Sequence, residues 1–229
     1  MIAMLSIFGY EINRVITAYG LSAIAQTLGQ VGCATLIAIV VGLPIGLGAY
    51  VVSPTGLRPV RWLHAILSVI ISLGRAIPFI ALLILLLPVT RAVMGTTLGW
   101  YASILPLAIG AIPFYARLVE NALFAVKPGK VEAALMVGAS KTRVAVDVLV
   151  RESLPALVAA ATVTITTLTG YSMITGTIGG QGLGALLYNY GYSRYMLDVM
   201  VFVVLAAVII VQLFQVIGDR LVRWLDHTH

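Results

Sequence analysis

The residues of this chain that could do chemistry are few, and their spacing points to contact and movement rather than bond-making. The densest set lies between Phe124 and Glu152, where Lys127, Lys130, Glu132, Lys141, Arg143 and Arg151 gather. Glu132-Ala133-Ala134-Leu135-Met136 has strong helix propensity. Glu132 is expected in the first turn of that helix, where a carboxylate favours the dipole. Gly138 is placed just past the helix end, where a positive φ is needed. Ser140 can cap a second helix running from Lys141 to about Val150. The segment reads as a helix–turn–helix outside the bilayer, and pattern alone equally allows an amphipathic connector resting on headgroups.

The remaining ionisable residues form no catalytic set. His64, His227 and His229 are scattered, so no metal site is supported. No G-x-x-x-x-G-K-[ST] occurs, so the chain is not expected to hydrolyse ATP itself. Cys33 stands alone in an apolar run and reads as a packed free thiol. Arg75 lies inside an apolar stretch, where a charge is expensive and usually faces protein or water. It is expected to cap backbone carbonyls freed by Pro78, with lining an inner cavity as the alternative. Arg117 and Glu120 can pair across one helical turn as a clamp at the base of the charged loop. Thr162, Thr164, Thr166, Thr167 and Thr169 make one stretch polar, but their hydroxyls can bond back to earlier carbonyls, so they define no pore stripe.

The elements that must position these residues are set by composition. Of the 229 residues 61% are hydrophobic and 10% charged, against about 25% charged in an ordinary soluble domain. Mean hydropathy is +1.07. A soluble core of this size cannot hide so much apolar surface. That excludes a soluble enzyme or nucleic-acid-binding domain and makes lipid the solvent. The net charge of +6 then reads as anchoring at the cytoplasmic membrane face rather than phosphate binding.

A spanning helix needs about 20 apolar residues. Five spans are expected: Val31 to Val52 with a flank from Leu21, Pro59 to Thr90, Leu98 to Ala116, Ser153 to Gly176, and Met196 to Ile217. The second is long for one bilayer core and is read as one tilted helix kinked near Pro78, with two short helices as the alternative. Gly42 and Gly46 form a G-x-x-x-G around Pro44 that allows close helix approach. Leu5, Phe8, Ile12, Val15 and Tyr19 recur at helical spacing, so residues 1–20 read as an interfacial extension rather than a signal peptide. Basic residues decide sidedness. A cytoplasmic C-terminus puts Arg58, Arg61, Lys127, Lys130, Lys141, Arg143, Arg151, Arg220 and Arg223 inside and only Arg14, Arg91 and Arg194 outside. The N-terminus is therefore expected to be periplasmic.

With these elements placed, Glu132-Ala133-Ala134, the following Gly138 and the later Leu154-Pro155 resemble the EAA loop of bacterial ABC-importer permease subunits. Val148 stands where that family's pattern has Ile, and Val150-Arg151 where it has Leu-Pro. From about Leu21 onward the chain is similar to the methionine-importer branch. The resemblance is carried by Gly42-Leu43-Pro44-Ile45-Gly46, Arg75-Ala76-Ile77-Pro78-Phe79, Pro113-Phe114, Ala116-Arg117, Val119-Glu120-Asn121-Ala122-Leu123, Gly170-Tyr171-Ser172, Gly179-Gly180-Gln181-Gly182-Leu183-Gly184 and Gly218-Asp219-Arg220.

The resemblance implies an all-α membrane protein of the type I importer permease fold, one domain over 1–229, with a cytoplasmic coupling loop at 124–152. Glu132, Ala133, Ala134, Met136, Gly138, Ala139 and Ser140 would dock on an ATPase subunit. Tyr171, Ser172, Met173 and Ile174 would form a periplasmic gate that excludes water. Implied partners are a second copy, two ATPase subunits holding ATP and magnesium, a periplasmic or lipid-anchored methionine-binding protein, and membrane lipid. The implied activity is ATP-driven import of methionine, as one or both enantiomers, across the inner membrane. Alternatives are another small amino acid or an ion-coupled secondary transporter, which predicts intramembrane carboxylates and an internal repeat.

Overall fold

The protein is described by a computed structural model covering residues 2–226, with side chains described from Arg14 onward. His227 and His229, and the side chains of Leu5, Phe8 and Ile12, lie outside the described residues. Among the described residues every regular element is helical. Ten helices follow in order: α1 (Ile2–Val52), α2 (Arg61–Ala76), α3 (Phe79–Leu85), α4 (Leu87–Met94), α5 (Ile104–Phe124), α6 (Pro128–Met136), α7 (Lys141–Arg143), α8 (Leu154–Thr175), α9 (Leu183–Leu186) and α10 (Leu197–Leu225). Wider π-helical turns extend α7 through Val144–Val150 and α9 through Leu187–Tyr192.

Among the described residues four helices are long and apolar enough to cross a membrane, and a bent pair makes up to five. Helix α1 is continuous over 51 residues. At about 1.5 Å per residue that is roughly 75 Å, well over twice a hydrocarbon core of about 30 Å. A straight α1 therefore cannot sit wholly in lipid.

The second apolar stretch is broken near Pro78, where the expected kink is a sharp bend between two helices. Helices α2 and α3 meet at 97°. The cause is Pro78, which disfavours helical backbone in the residue before it; Ile77 is extended at φ −72, ψ 123. The third span also shifts from its expected position. Gly95 and Gly99 take positive φ of 76° and 99° and keep the chain in turns until Ile104.

Contacts divide the chain into two compact units. The first comprises residues through Ala34, Phe79–Ala108 and Ile165–Phe214. Its core packs Ala23 of α1 and Leu183 and Leu186 of α9 with Val199, Val203 and Ile210 of α10. The second comprises Thr35–Pro78, Ile109–Thr164 and residues from Gln215. Ala49, Ile71 and Ala116 form its buried cluster. The G-x-x-x-G of α1 works as its spacing suggests. A Cβ on Gly46 would collide with the Ala116 carbonyl, and one on Gly42 would lie 3.1 Å from the Ile112 carbonyl. Gly74 of α2 packs equally closely on Pro113, whose Cγ would be 2.8 Å from an added Cβ.

Cys33 is exposed rather than packed. It shares a helical face with Leu36, Ile37 and Val40, all exposed. The burial habit of cysteine comes from proteins in water, and apolar residues facing lipid need no protein cover.

Candidate functional site

The charged loop is built by two helix ends. Helix α5 stops at Phe124, and Lys127 at φ −60, ψ 125 turns the chain out. Pro128 then starts α6 instead of closing the preceding span, because its fixed φ suits the first helical turn and its missing N–H is no loss there. Glu132 therefore sits one turn further in than the first turn expected for it.

The far end of α6 explains the sequence spacing. The Gly138 N–H donates to the Leu135 carbonyl at 3.0 Å and the Ala139 N–H to the Ala134 carbonyl at 3.1 Å. This pair of bonds is the Schellman closure, and it requires left-handed backbone at Gly138, which has φ +84. Ala134, Gly138 and Ala139 are thus one device for stopping a helix. Ser140 then caps α7 by accepting from the Arg143 N–H at 3.3 Å. Lys130 and Glu152 form an ion pair that ties the two arms of the loop together.

What this device displays is apolar. Met136 is 82% and Val137 85% exposed, and Leu135, Glu132 and Ala133 are exposed too. A Cβ on Gly138 would meet nothing in this chain. The end of α6 presents Leu135, Met136 and Val137 to the outside, held by the Gly138 closure.

Below the loop, the Arg117–Glu120 pair forms as the spacing suggests, with Nη1 2.6 Å from Oε2. Sequence reasoning missed its third member. His64 of α2 places Nε2 3.2 Å from Glu120 Oε1, with Ser68 Oγ 3.4 Å from the same nitrogen. Glu120 is wholly buried. An ionised carboxylate only accepts, so toward it His64 donates from a protonated Nε2. The one available signal was a histidine near the start of an apolar span facing the only acidic residue of the next. Arg75 lies elsewhere, exposed near the end of α2.

Of the four residues expected at a gate, two face inward within their own unit. Ser172 donates to the Thr169 carbonyl at 2.7 Å, and Met173 packs on the apolar core. Tyr171 lies parallel to Phe79, ring centres 4.4 Å apart. Ile174 is partly exposed. The threonines of α8 mostly satisfy themselves, as Thr162, Thr164 and Thr169 bond carbonyls four residues earlier.

The glycine loop after α8 is fastened by side chains that sequence reasoning passed over. Gly182 N–H donates to Gln26 Oε1 at 3.0 Å and Leu183 N–H to Thr27 Oγ1 at 2.9 Å. Adjacent polar residues in an otherwise apolar helix were the overlooked signal. Beyond the loop, Arg194 lies 4.7 Å over the Tyr190 ring, which stacks on Tyr19. Burial pushes the Tyr190 phenol above its usual range; Tyr19 adds to the rise and Arg194 opposes it.

Residues 38–228 match the family described as the binding-protein-dependent transport system inner membrane component. A Pasteurella multocida protein named as a probable D-methionine transport system permease, MetI, is 44% identical over 93% of this chain and 98% of its own length. The Vibrio cholerae protein of the same name is 41% identical, over 90% of this chain and 92% of its own. Among solved structures, an inward-facing conformation of the MetNI methionine ABC transporter superposes with a TM-score of 0.91 at 40% identity. It covers 93% of this chain and 98% of that one.

Proposed function

This chain belongs to the family of binding-protein-dependent transport-system inner membrane components, and on that premise we propose that it is the permease subunit of an ATP-driven methionine importer. It is a multi-pass translocation subunit with the all-α fold of type I importer permeases. In this reading residues 1–229 work as one permease domain, residues 1–20 lie at the interface, and 124–152 form the coupling loop. Two copies form the pathway, two ATPase subunits hold ATP and magnesium on the cytoplasmic side, and a methionine-binding protein delivers substrate from the periplasm. The N-terminus is periplasmic and the C-terminus cytoplasmic. ATP binding draws the ATPases together and carries the two α6 helices with them, so the pathway opens outward; hydrolysis returns it inward.

The observation that carries this reading is the exposed apolar end of α6, held by the Gly138 closure and covered by nothing in its own chain. Glu132, Ala133, Ala134, Met136, Gly138, Ala139 and Ser140 make up its docking face. Tyr171 and Ile174 supply the gate surface, and Ser172 and Met173 anchor it. Arg75 is exposed in the single chain and is assigned to the pathway, with Pro78 setting the bend beside it. Arg117 and Glu120 brace the loop.

Reconstitution in proteoliposomes with the partner ATPase and binding protein tests this. Methionine uptake that requires ATP supports it, and uptake by the permease alone rejects it. A second reading, an ion-driven carrier, is favoured only by the buried Glu120; uptake driven by a proton gradient without ATP would select it. Competition by other small amino acids separates methionine from a different amino-acid substrate.

A further inference from the structure

We propose that Glu120 is a positioning residue that makes α2 follow the inner end of α5, so that movement of the coupling helix reaches the membrane part as work rather than slippage. The inference rests on the transport reading above. Glu120 lies one turn before the end of α5, and three residues separate that end from α6. Its carboxylate is wholly buried, so it is stable only while paired. The two oxygens have different partners. Oε2 takes Arg117, on its own helix, and Oε1 takes His64, on α2. The arginine travels with α5 whatever happens. The histidine bond is the one that links helices, and stretching it leaves half of a buried charge without a partner.

The same stretch of α5 has no slack elsewhere. Gly46 and Gly74 bring α1 and α2 within contact of Ala116 and Pro113, where an added Cβ would find no room. Side chains packed at this density shift together or not at all. A push on α6 therefore reaches α5 through three residues and reaches α2 through the Glu120–His64 bond. That bond lies a few turns before the Ile77–Pro78 bend of α2.

The test measures methionine taken up per ATP hydrolysed by the reconstituted complex. His64→Gln keeps a donor and should hold that ratio within about twofold of the parent. His64→Leu removes the donor and should lower it at least about fivefold, with hydrolysis and the yield of assembled complex retained. Glu120→Gln should lower it further, by about tenfold. If Glu120→Gln fails to assemble, the two His64 variants decide. The proposal is overturned if His64→Leu keeps the parent ratio, or if uptake and hydrolysis fall in parallel, which marks a purely structural bond. A parent complex with no ATP-driven uptake overturns the transport reading and this one with it.

Discussion

The two units of the molecule hold their irregular backbone by different means. In the first, bends are fastened by neutral groups: Gln26 and Thr27 bond the glycine loop, Tyr171 stacks on Phe79, and serine and threonine hydroxyls turn back on their own helix. The second has neutral closures too, at Gly138, Ser140, Thr162 and Thr164, but adds ionic ones: a buried carboxylate takes an arginine and a histidine, and a lysine–glutamate pair closes the loop. Neutral bonds lose little when one partner goes, provided water can reach the orphan. A buried charge has no such escape. The contrast suggests a reason for the division. In the proposed function the ionic unit carries the loop that meets a moving partner, where a joint must be strong in one direction and specific.

The largest effect is expected at that buried charge. Glu120→Ala leaves Arg117 and His64 facing an empty site and should destabilise the chain by about 3–5 kcal/mol, read as lowered thermal stability in detergent. A change under about 1 kcal/mol would erase the contrast between the units. Next comes the neutral fastening. Gln26→Leu removes the acceptor of the Gly182 N–H and should cost about 1–3 kcal/mol, visible as faster amide exchange in the loop from Gly179 to Gly184.

A smaller effect is expected at the end of α6. Gly138→Ala forces a Cβ into left-handed backbone at a cost of about 1–2 kcal/mol, while Gly138→Asn, a residue that tolerates that conformation, should cost less. Circular dichroism melting would rank the two, and equal values would remove the closure argument. Least of all is expected from Lys130→Ala. Its pair with Glu152 is half-exposed and worth at most about 1 kcal/mol, declining with salt. A large, salt-independent loss there would show that the ionic unit does not depend on burial.

Much of this architecture could be read before any coordinates. Patterns governed by local chemistry read well. Gly138 and Ser140 are a stop and a start, and both sit where their backbone needs place them. The G-x-x-x-G of α1 and the Arg117–Glu120 spacing also follow from one helix's geometry. What was not legible depended on partners distant in sequence. A histidine at the start of one apolar span and a lone acid in the next hint at a pairing but do not fix it; His64 and Glu120 lie 56 positions apart. Gln26 and Gly182 are likewise joined only by the fold. Pro78 announced a change of direction, but not that the change would be 97°. Cys33 misled because an expectation drawn from proteins in water was applied to a helix apolar enough to cross a membrane.

In the proposed function α6 is where a separate ATPase drives this chain. That role is tested most directly at Met136, which is exposed and near the stop at Gly138. In a Cys33→Ser background, Met136→Cys is labelled with a bulky maleimide before the complex is assembled, and ATP-driven methionine uptake is measured against the unlabelled variant. Labelling is expected to prevent the ATPase from seating and to abolish uptake. Full uptake by the labelled protein would contradict it.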